Sequence, residues 1–247
     1  MRLAMERPRF SIILPCFNEV GNIKILIRRI IEGFRRDRIE LIFVDDGSTD
    51  GTVELLEDFC RAYSFVSVIK RPTLLGLGSA LKAGFDVAEG DYFISFDSDL
   101  PIPIEDARKI ADMLSTGRYD LVLGSRYLKG SLYEAPNFSI FKKKMVSRCA
   151  NFFFKVANLI NITDFTFNCR GMTREAWQEI KPQSNNNFFL CEMVWRASRH
   201  KLRIAEIPVR FYDRKFGTSK LQLGSEMAKY LGQFLKLRWK YLFKKLP

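Results

Sequence analysis

Two carboxylates one residue apart, Asp97 and Asp99, close a short apolar run from Tyr92 to Phe96. The run reads as a buried strand, and prolines at 101 and 103 stop the ladder beyond it. In an open α/β sheet, ligands gather beyond the carboxyl ends of the strands, so both side chains are expected in a crevice. Strand alternation would set 97 and 99 on one side of the chain. Hard oxygen donors with no neighbouring His or Cys suit Mg²⁺ or Mn²⁺ shared with a substrate phosphate. The plainer alternative is that the triplet caps the helix expected from about Ile104.

The elements that must position these groups follow in a regular order. Phe10 to Leu14 is strand-like and stops at Pro15, and Ile23, Leu26, Ile27, Ile30 and Ile31 then recur at helical spacing. A second strand, Ile39 to Val44, ends in Asp45-Asp46-Gly47-Ser48. A helix through Val53, Leu56 and Phe59, a strand at 66–69 and a helix from Gly76-Leu77-Gly78 lead to the strand at 92–96. A helix at 104–115 and a strand at 121–123, ending in Gly124-Ser125-Arg126, complete the series. Such alternation is the signature of a parallel sheet with helices on both faces, an α/β fold. Three strands finish in carboxylates or a polar turn, and all of these ends fall on one edge. Neither GxGxxG after the first strand nor GxxxxGK[ST] occurs, which excludes a dinucleotide fingerprint and a P-loop.

The ordered set Leu14-Pro15-Cys16-Phe17-Asn18-Glu19, Val44-Asp45-Asp46-Gly47-Ser48-Thr49-Asp50-Gly51-Thr52, Gly90-Asp91 through Asp97-Ser98-Asp99 and Gly124-Ser125-Arg126-Tyr127 resembles inverting family 2 glycosyltransferases of the GT-A (Rossmann-like) fold. Within them it is similar to the dolichyl or polyprenyl phosphate mannose/glucose synthase branch. Asp164 to Arg170 stands where that branch has Asp-x-x-x-Gly-Phe-Arg, and Arg214 to Lys220 matches Arg-x-x-Gly-x-Ser-Lys. The resemblance covers about residues 10–225. It implies that Pro15, Phe17, Glu19 and Asp46, with Asp97, line the nucleotide pocket. It implies that Asp97 and Asp99 hold the metal. Arg126, Arg214 and Lys220 would offset diphosphate charge, with 210–221 a loop closing on the donor. Lys143 and Ser147, with Arg126, would take the acceptor phosphate. Two departures stand out: Pro101 replaces a Gln that serves as a further metal ligand, and Asn168 replaces a glycine. Glu192 is a candidate extra ligand, or a base should the acceptor be an alcohol; its structural reading is a helix-start carboxylate.

With 40 Lys+Arg against 28 Asp+Glu, the net charge is +12, which asks for an anionic partner. The five cysteines lack CxxC spacing and read as reduced thiols, and the single His200 reads as structural or surface. The start of the chain has no leader-like apolar segment, and no run of 18 apolar residues occurs. Residues 138–162 are too polar to span a bilayer and too apolar for an ordinary surface helix, so they are expected at a membrane interface. From 226 to 247 a basic amphipathic helix with Trp239 and Tyr241 repeats the pattern beyond a catalytic domain at 1–225.

The expected function is therefore metal-dependent transfer of a hexose, mannose first, from GDP-mannose or UDP-glucose to a polyprenyl or dolichyl phosphate. The expected location is peripheral, on the cytoplasmic face of a membrane. Alternatives are a family 2 enzyme with a UDP-sugar donor or a non-lipid saccharide acceptor, or a non-catalytic membrane- or nucleic-acid-binding module. Carboxylates at the strand ends speak against nucleic acid as a partner, because they repel phosphate backbones.

Overall fold

The computed structural model describes residues 7–99, 101–134, 138–212 and 232–239; on the helix from 138, the side chains at 138, 139, 143 and 158 are outside that description. The alternating first half folds as its periodicity dictates. Strands β1 (Phe10–Cys16), β2 (Ile39–Asp45), β3 (Val66–Lys70), β4 (Tyr92–Phe96) and β5 (Leu121–Ser125) alternate with helices α1 (Val20–Gly33), α2 (Thr52–Ala62), α3 (Leu77–Val87) and α4 (Ile104–Ser115). Then come β6 (Leu132–Tyr133), α5 (Phe138–Asn158), β7 (Cys169–Thr173), α6 (Arg174–Ile180), α7 (Phe188–Arg199), β8 (Ile204–Pro208) and β9 (Arg210–Phe211). The main sheet has the order β3-β2-β1-β4-β7-β5-β8, and β6 pairs with β9 apart from it. All pairs are parallel except those of β7, which runs antiparallel between β4 and β5.

Strands β1, β2 and β4 are largely apolar on both faces because helices cover both sides. Ile13, Val44 and Phe93 face one cluster with Leu81, Phe85 and α7. Ile12, Leu14, Phe43 and Ile94 face the other, with α1 and α4. The glycines at 76 and 78 have a packing cause. Ser79 N donates to Asn185 O at 2.9 Å, drawing α3 against the turn before α7. A β-carbon on Gly78 would lie 2.5 Å from Ser184 O and 2.6 Å from Phe189 Cβ. Gly78→Ala is expected to cost about 1–3 kcal/mol of stability, read as a lower urea midpoint at unchanged m.

One strand escapes the sequence pattern. β7 reads Cys-Arg-Gly-Met-Thr, and Arg170 within it is fully buried. Its guanidinium donates to the carbonyls of Leu190 at 2.9 Å and Phe165 at 3.3 Å and closely to that of Phe167. Burial pushes its pKa down to about 10. The arginine thus ties the 165–167 segment and α7 to the middle of the sheet.

Candidate active site

The ends of β1 and β2 lie level, with Pro15 opposite Val44 and Cys16 opposite Asp45. Their loops are laced together. Asn18, in the left-handed region at φ 58°, donates its N–H to Ser48 Oγ at 2.8 Å and accepts from Thr49 N at 2.9 Å. Glu19 N donates to Thr52 Oγ1 at 2.8 Å. Asp45 accepts from the backbone N–H groups of Gly47 and Ser48, an Asx-type turn that leaves Asp46 to point elsewhere. Asp46 meets Arg71 in a buried ion pair and accepts from the N–H groups of Leu75 and Gly76. Burial raises its pKa, against the opposing pull of Arg71. Arg71, which sequence reasoning missed, also donates to Ser79 Oγ at 2.7 Å, fixing the 71–79 segment beside the β2 end.

At the β4 end, Ser98 Oγ donates to Pro15 O at 2.8 Å, clamping the carboxylate turn to β1. The strand stops at Phe96 and residues 98 and 99 form a turn, so strand alternation is not what relates Asp97 to Asp99. Nor does the triplet cap the following helix: Pro103 is the N-cap of α4, with no side-chain cap bond. Asp97 Oδ1 accepts from Asn168 Nδ2 at 2.8 Å. Asp99 is only 5% exposed. A carboxylate taken that far from water is stable only beside donors or positive charge. Among the described residues no group of three His, Cys, Asp or Glu side chains could hold a metal. A hard divalent cation held by Asp97 and Asp99 would have to take its remaining ligands from phosphate and water.

Arg126, at the β5 end, is a second enclosed cation among the described residues. Its Nε donates to Asp164 Oδ2 at 2.8 Å and its Nη2 to Asp164 Oδ1 at 3.0 Å. Nη2 also reaches Thr166 Oγ1 at 3.1 Å and Ser147 Oγ at 3.3 Å. The rings of Phe167, Tyr133, Tyr127 and Phe211 surround the guanidinium, with centroids 4.5, 5.3, 5.4 and 5.6 Å away. Burial alone would lower the Arg126 pKa; the Asp164 charge and hydrogen bonds outweigh it and raise it. Asp164 in turn is held in place by Glu206, which accepts from Thr163 N at 2.8 Å and Asp164 N at 3.0 Å. Asn151 Nδ2 donates to Asp164 Oδ1 at 3.2 Å. Arg126, just past β5, and Ser147, on α5, are thus brought together beside the Thr166 hydroxyl.

The other candidates fall differently. Glu192 is buried and accepts from Gln183 N, Ser184 N, Ser184 Oγ and Arg196 Nε, the last at 2.7 Å, so it anchors the turn before α7. Pro15, Phe17 and Glu19 sit at the β1 end, next to the β2 loop. Lys143 lies on α5 with its side chain outside the described residues, as are Arg214 and Lys220 altogether. The chain leading to them is placed: Tyr212 N donates to Pro101 O at 2.9 Å, so 212 lies against the carboxylate turn. His200 closes α7 at the surface beside Glu179, and the cysteines are free.

The sequence model described as Glycosyl transferase family 2 matches residues 11–181, and the chain belongs to that family. It is 30% identical over 227 residues to the polyprenol monophosphomannose synthase of Mycolicibacterium smegmatis, covering 88% of this chain and 83% of that protein. It is 31% identical over 234 residues to the dolichol-phosphate mannosyltransferase of Pyrococcus furiosus, covering 94% of this chain and 64% of that one. Against glycosyltransferase AglD of Haloferax volcanii it is 26% identical, and there it spans only 37% of the relative's length. Among solved structures, glucosyl-3-phosphoglycerate synthase from Mycobacterium tuberculosis, in complex with Mn²⁺, UDP-glucose and phosphoglyceric acid, superposes with a TM-score of 0.69 at 22% identity, covering 93% of this chain and 79% of that one. Its complex with Mn²⁺, UDP and phosphoglyceric acid gives 0.68 at 21%, over 93% and 78%.

Proposed function

We propose that this protein transfers a hexose, mannose first, from a nucleoside diphosphate sugar to a polyprenyl phosphate with inversion at the anomeric carbon. The observation that carries the reading is the convergence on one sheet edge of a carboxylate turn (Asp97, Asp99), a laced nucleotide-side loop pair and the Arg126–Ser147–Thr166 cluster. The names of the Mycolicibacterium and Pyrococcus relatives support the lipid phosphate and the mannose.

In this reading Pro15, Phe17, Glu19 and Asp46 receive the nucleoside, and Asp97 and Asp99 hold Mg²⁺ or Mn²⁺. The cation, when bound, supplies positive charge to the departing diphosphate. Arg214 and Lys220, outside the described residues, are assigned by the family resemblance to offset charge on the same phosphates, and such charge stabilisation is commonly the largest catalytic contribution. Arg126 and Ser147, with Lys143, orient the acceptor phosphate. That phosphate oxygen is anionic at neutral pH and attacks without a strong base, so Glu192 is given no chemical role.

The lipid end of the acceptor needs a greasy surface, and α5 offers one. Ala150 and Phe154 face the core, whereas Phe141, Met145, Phe152, Val156 and Leu159 are exposed, Phe152 at 68% and Leu159 at 93%. Residues 232–239 form a helix beside it, with Phe234 buried against Phe154 at 5.6 Å and Trp239 61% exposed. Lys142, Arg148 and Lys236 accompany these apolar groups, as suits anionic lipid heads. No helix among the described residues is long and apolar enough to cross a membrane. We propose that the protein sits peripherally on the cytoplasmic face of a membrane, and this surface supports the peripheral position.

The test is sugar transfer to a short polyprenyl phosphate with GDP-mannose or UDP-glucose, with Mn²⁺, Mg²⁺ or chelator. A mannolipid of inverted configuration, lost with chelator, is expected. Turnover that requires a soluble saccharide or acid acceptor, with no lipid product, would overturn the lipid-phosphate reading.

A further inference from the structure

We propose that Asn168 is a positioning residue for the divalent-cation site, presetting the Asp97 carboxylate through its side-chain amide. This rests on the assignment of the cation to Asp97 and Asp99 given above. The register supplies the geometry. β7 runs antiparallel to β4 with Ser95 opposite Arg170 and Phe96 opposite Cys169. The next cross-strand position sets Asn168 against Asp97, and Asn168 Nδ2 donates to Asp97 Oδ1 at 2.8 Å. Behind it, Ser95 Oγ donates to Asn168 Oδ1 at 2.9 Å.

The second bond matters as much as the first. A flipped amide would turn its carbonyl oxygen toward a carboxylate, two acceptors face to face. The arrangement with Ser95 on Oδ1 and Asp97 on Nδ2 satisfies all three groups. Ser95 is fully buried and Asn168 is 2% exposed, so water does not compete for either bond. Both anchors stand in or next to regular strands, which hold a side-chain pose more tightly than loops do.

The choice of an amide has a chemical reason. A lysine or arginine at 168 would steady Asp97 but would also neutralise the charge that a cation needs. A neutral donor fixes the torsion and leaves the carboxylate negative. Glycine, expected at this position from the family resemblance, could do neither. This chain also carries Pro101 where a side-chain ligand is expected, so the cation has one protein ligand fewer. Presetting one of the two remaining carboxylates reduces the freedom lost when the ion binds, and groups that orient ligands commonly change metal affinity by about 10–100-fold.

Mn²⁺ binding, followed by loss of the free-ion electron paramagnetic resonance signal with GDP present, tests the inference. The proteins compared are wild type, Asn168→Ala, Asn168→Gly, Ser95→Ala and Asp97→Ala. Asn168→Ala and Asn168→Gly should weaken Mn²⁺ binding about tenfold. The Mn²⁺ concentration for half-maximal transfer should rise by the same factor, while kcat at saturating Mn²⁺ stays near wild type. Ser95→Ala, which releases the amide without removing it, should move affinity the same way by a smaller factor. It decides the matter should the 168 variants fail to fold. Wild-type Mn²⁺ affinity in Ser95→Ala and the 168 variants, alongside loss in Asp97→Ala, would overturn the role of Asn168 alone. Wild-type affinity in Asp97→Ala would overturn the metal assignment and this inference with it.

Discussion

Asp99→Ala is expected to abolish measurable sugar transfer, a loss on the order of a thousandfold or more, while the protein stays folded. The reasoning combines burial with position. Asp99 is 5% exposed in a turn clamped to β1 through Ser98 and Pro15, and Tyr212 meets the same turn at Pro101. Removing the carboxylate should make Mn²⁺ binding and transfer fall together, whereas loss of a merely structural group would lower the melting temperature first. Donor binding should weaken less than transfer, because the cation contributes most as charge grows on the leaving diphosphate. Circular dichroism melts, Mn²⁺ titration and a transfer assay on one preparation check all of this. Transfer at wild-type rate would remove Asp99 from the mechanism.

β4 was legible to the residue, because an apolar run bounded by Gly90-Asp91 and two prolines has one reading. α4 at 104–115 and the helical spacing of α1 were equally plain, since both bury a single apolar stripe. β7 was not read as a strand. It contains Arg170 and Gly171 and owes its place to pairing with β4 and β5, strands distant in sequence. The strand-end carboxylates were found because apolar-to-acidic boundaries are local features. Their partners were not: Asn168 lies 71 residues from Asp97 and Asp164 lies 38 from Arg126. Arg71 hid for the same reason, as a basic residue after a strand looks like a solvated one. The one available signal was Asn168 itself, a polar side chain where a glycine was expected.

Asp164→Ala should lower the melting temperature by on the order of 10 °C, the largest stability effect expected of any single change near the site. Arg126 is flanked by Asp164, two hydroxyls and four aromatic rings. Deleting the carboxylate strands a buried guanidinium, a lesion that commonly costs about 3–5 kcal/mol. For a chain of this size each kcal/mol corresponds to about 2–4 °C. The aromatic faces soften the loss, since each still offers a cation about 0.5–2 kcal/mol. Two further variants separate charge from shape. Asp164→Asn keeps the bonds from Asn151 and Thr166 in reach but not the charge, and should fall between the extremes. Arg126→Met with Asp164→Ala removes both charges and should melt higher than Asp164→Ala alone, because no ion is then left unpaired. The acceptor adds a last discriminator. With Arg126 at the acceptor phosphate, a short polyprenyl phosphate supplies an anion in place of the missing carboxylate. It should then raise the melting temperature of Asp164→Ala more than that of the wild type. Equal shifts in the two proteins would keep Arg126 as a structural hub and move the acceptor phosphate elsewhere on this edge.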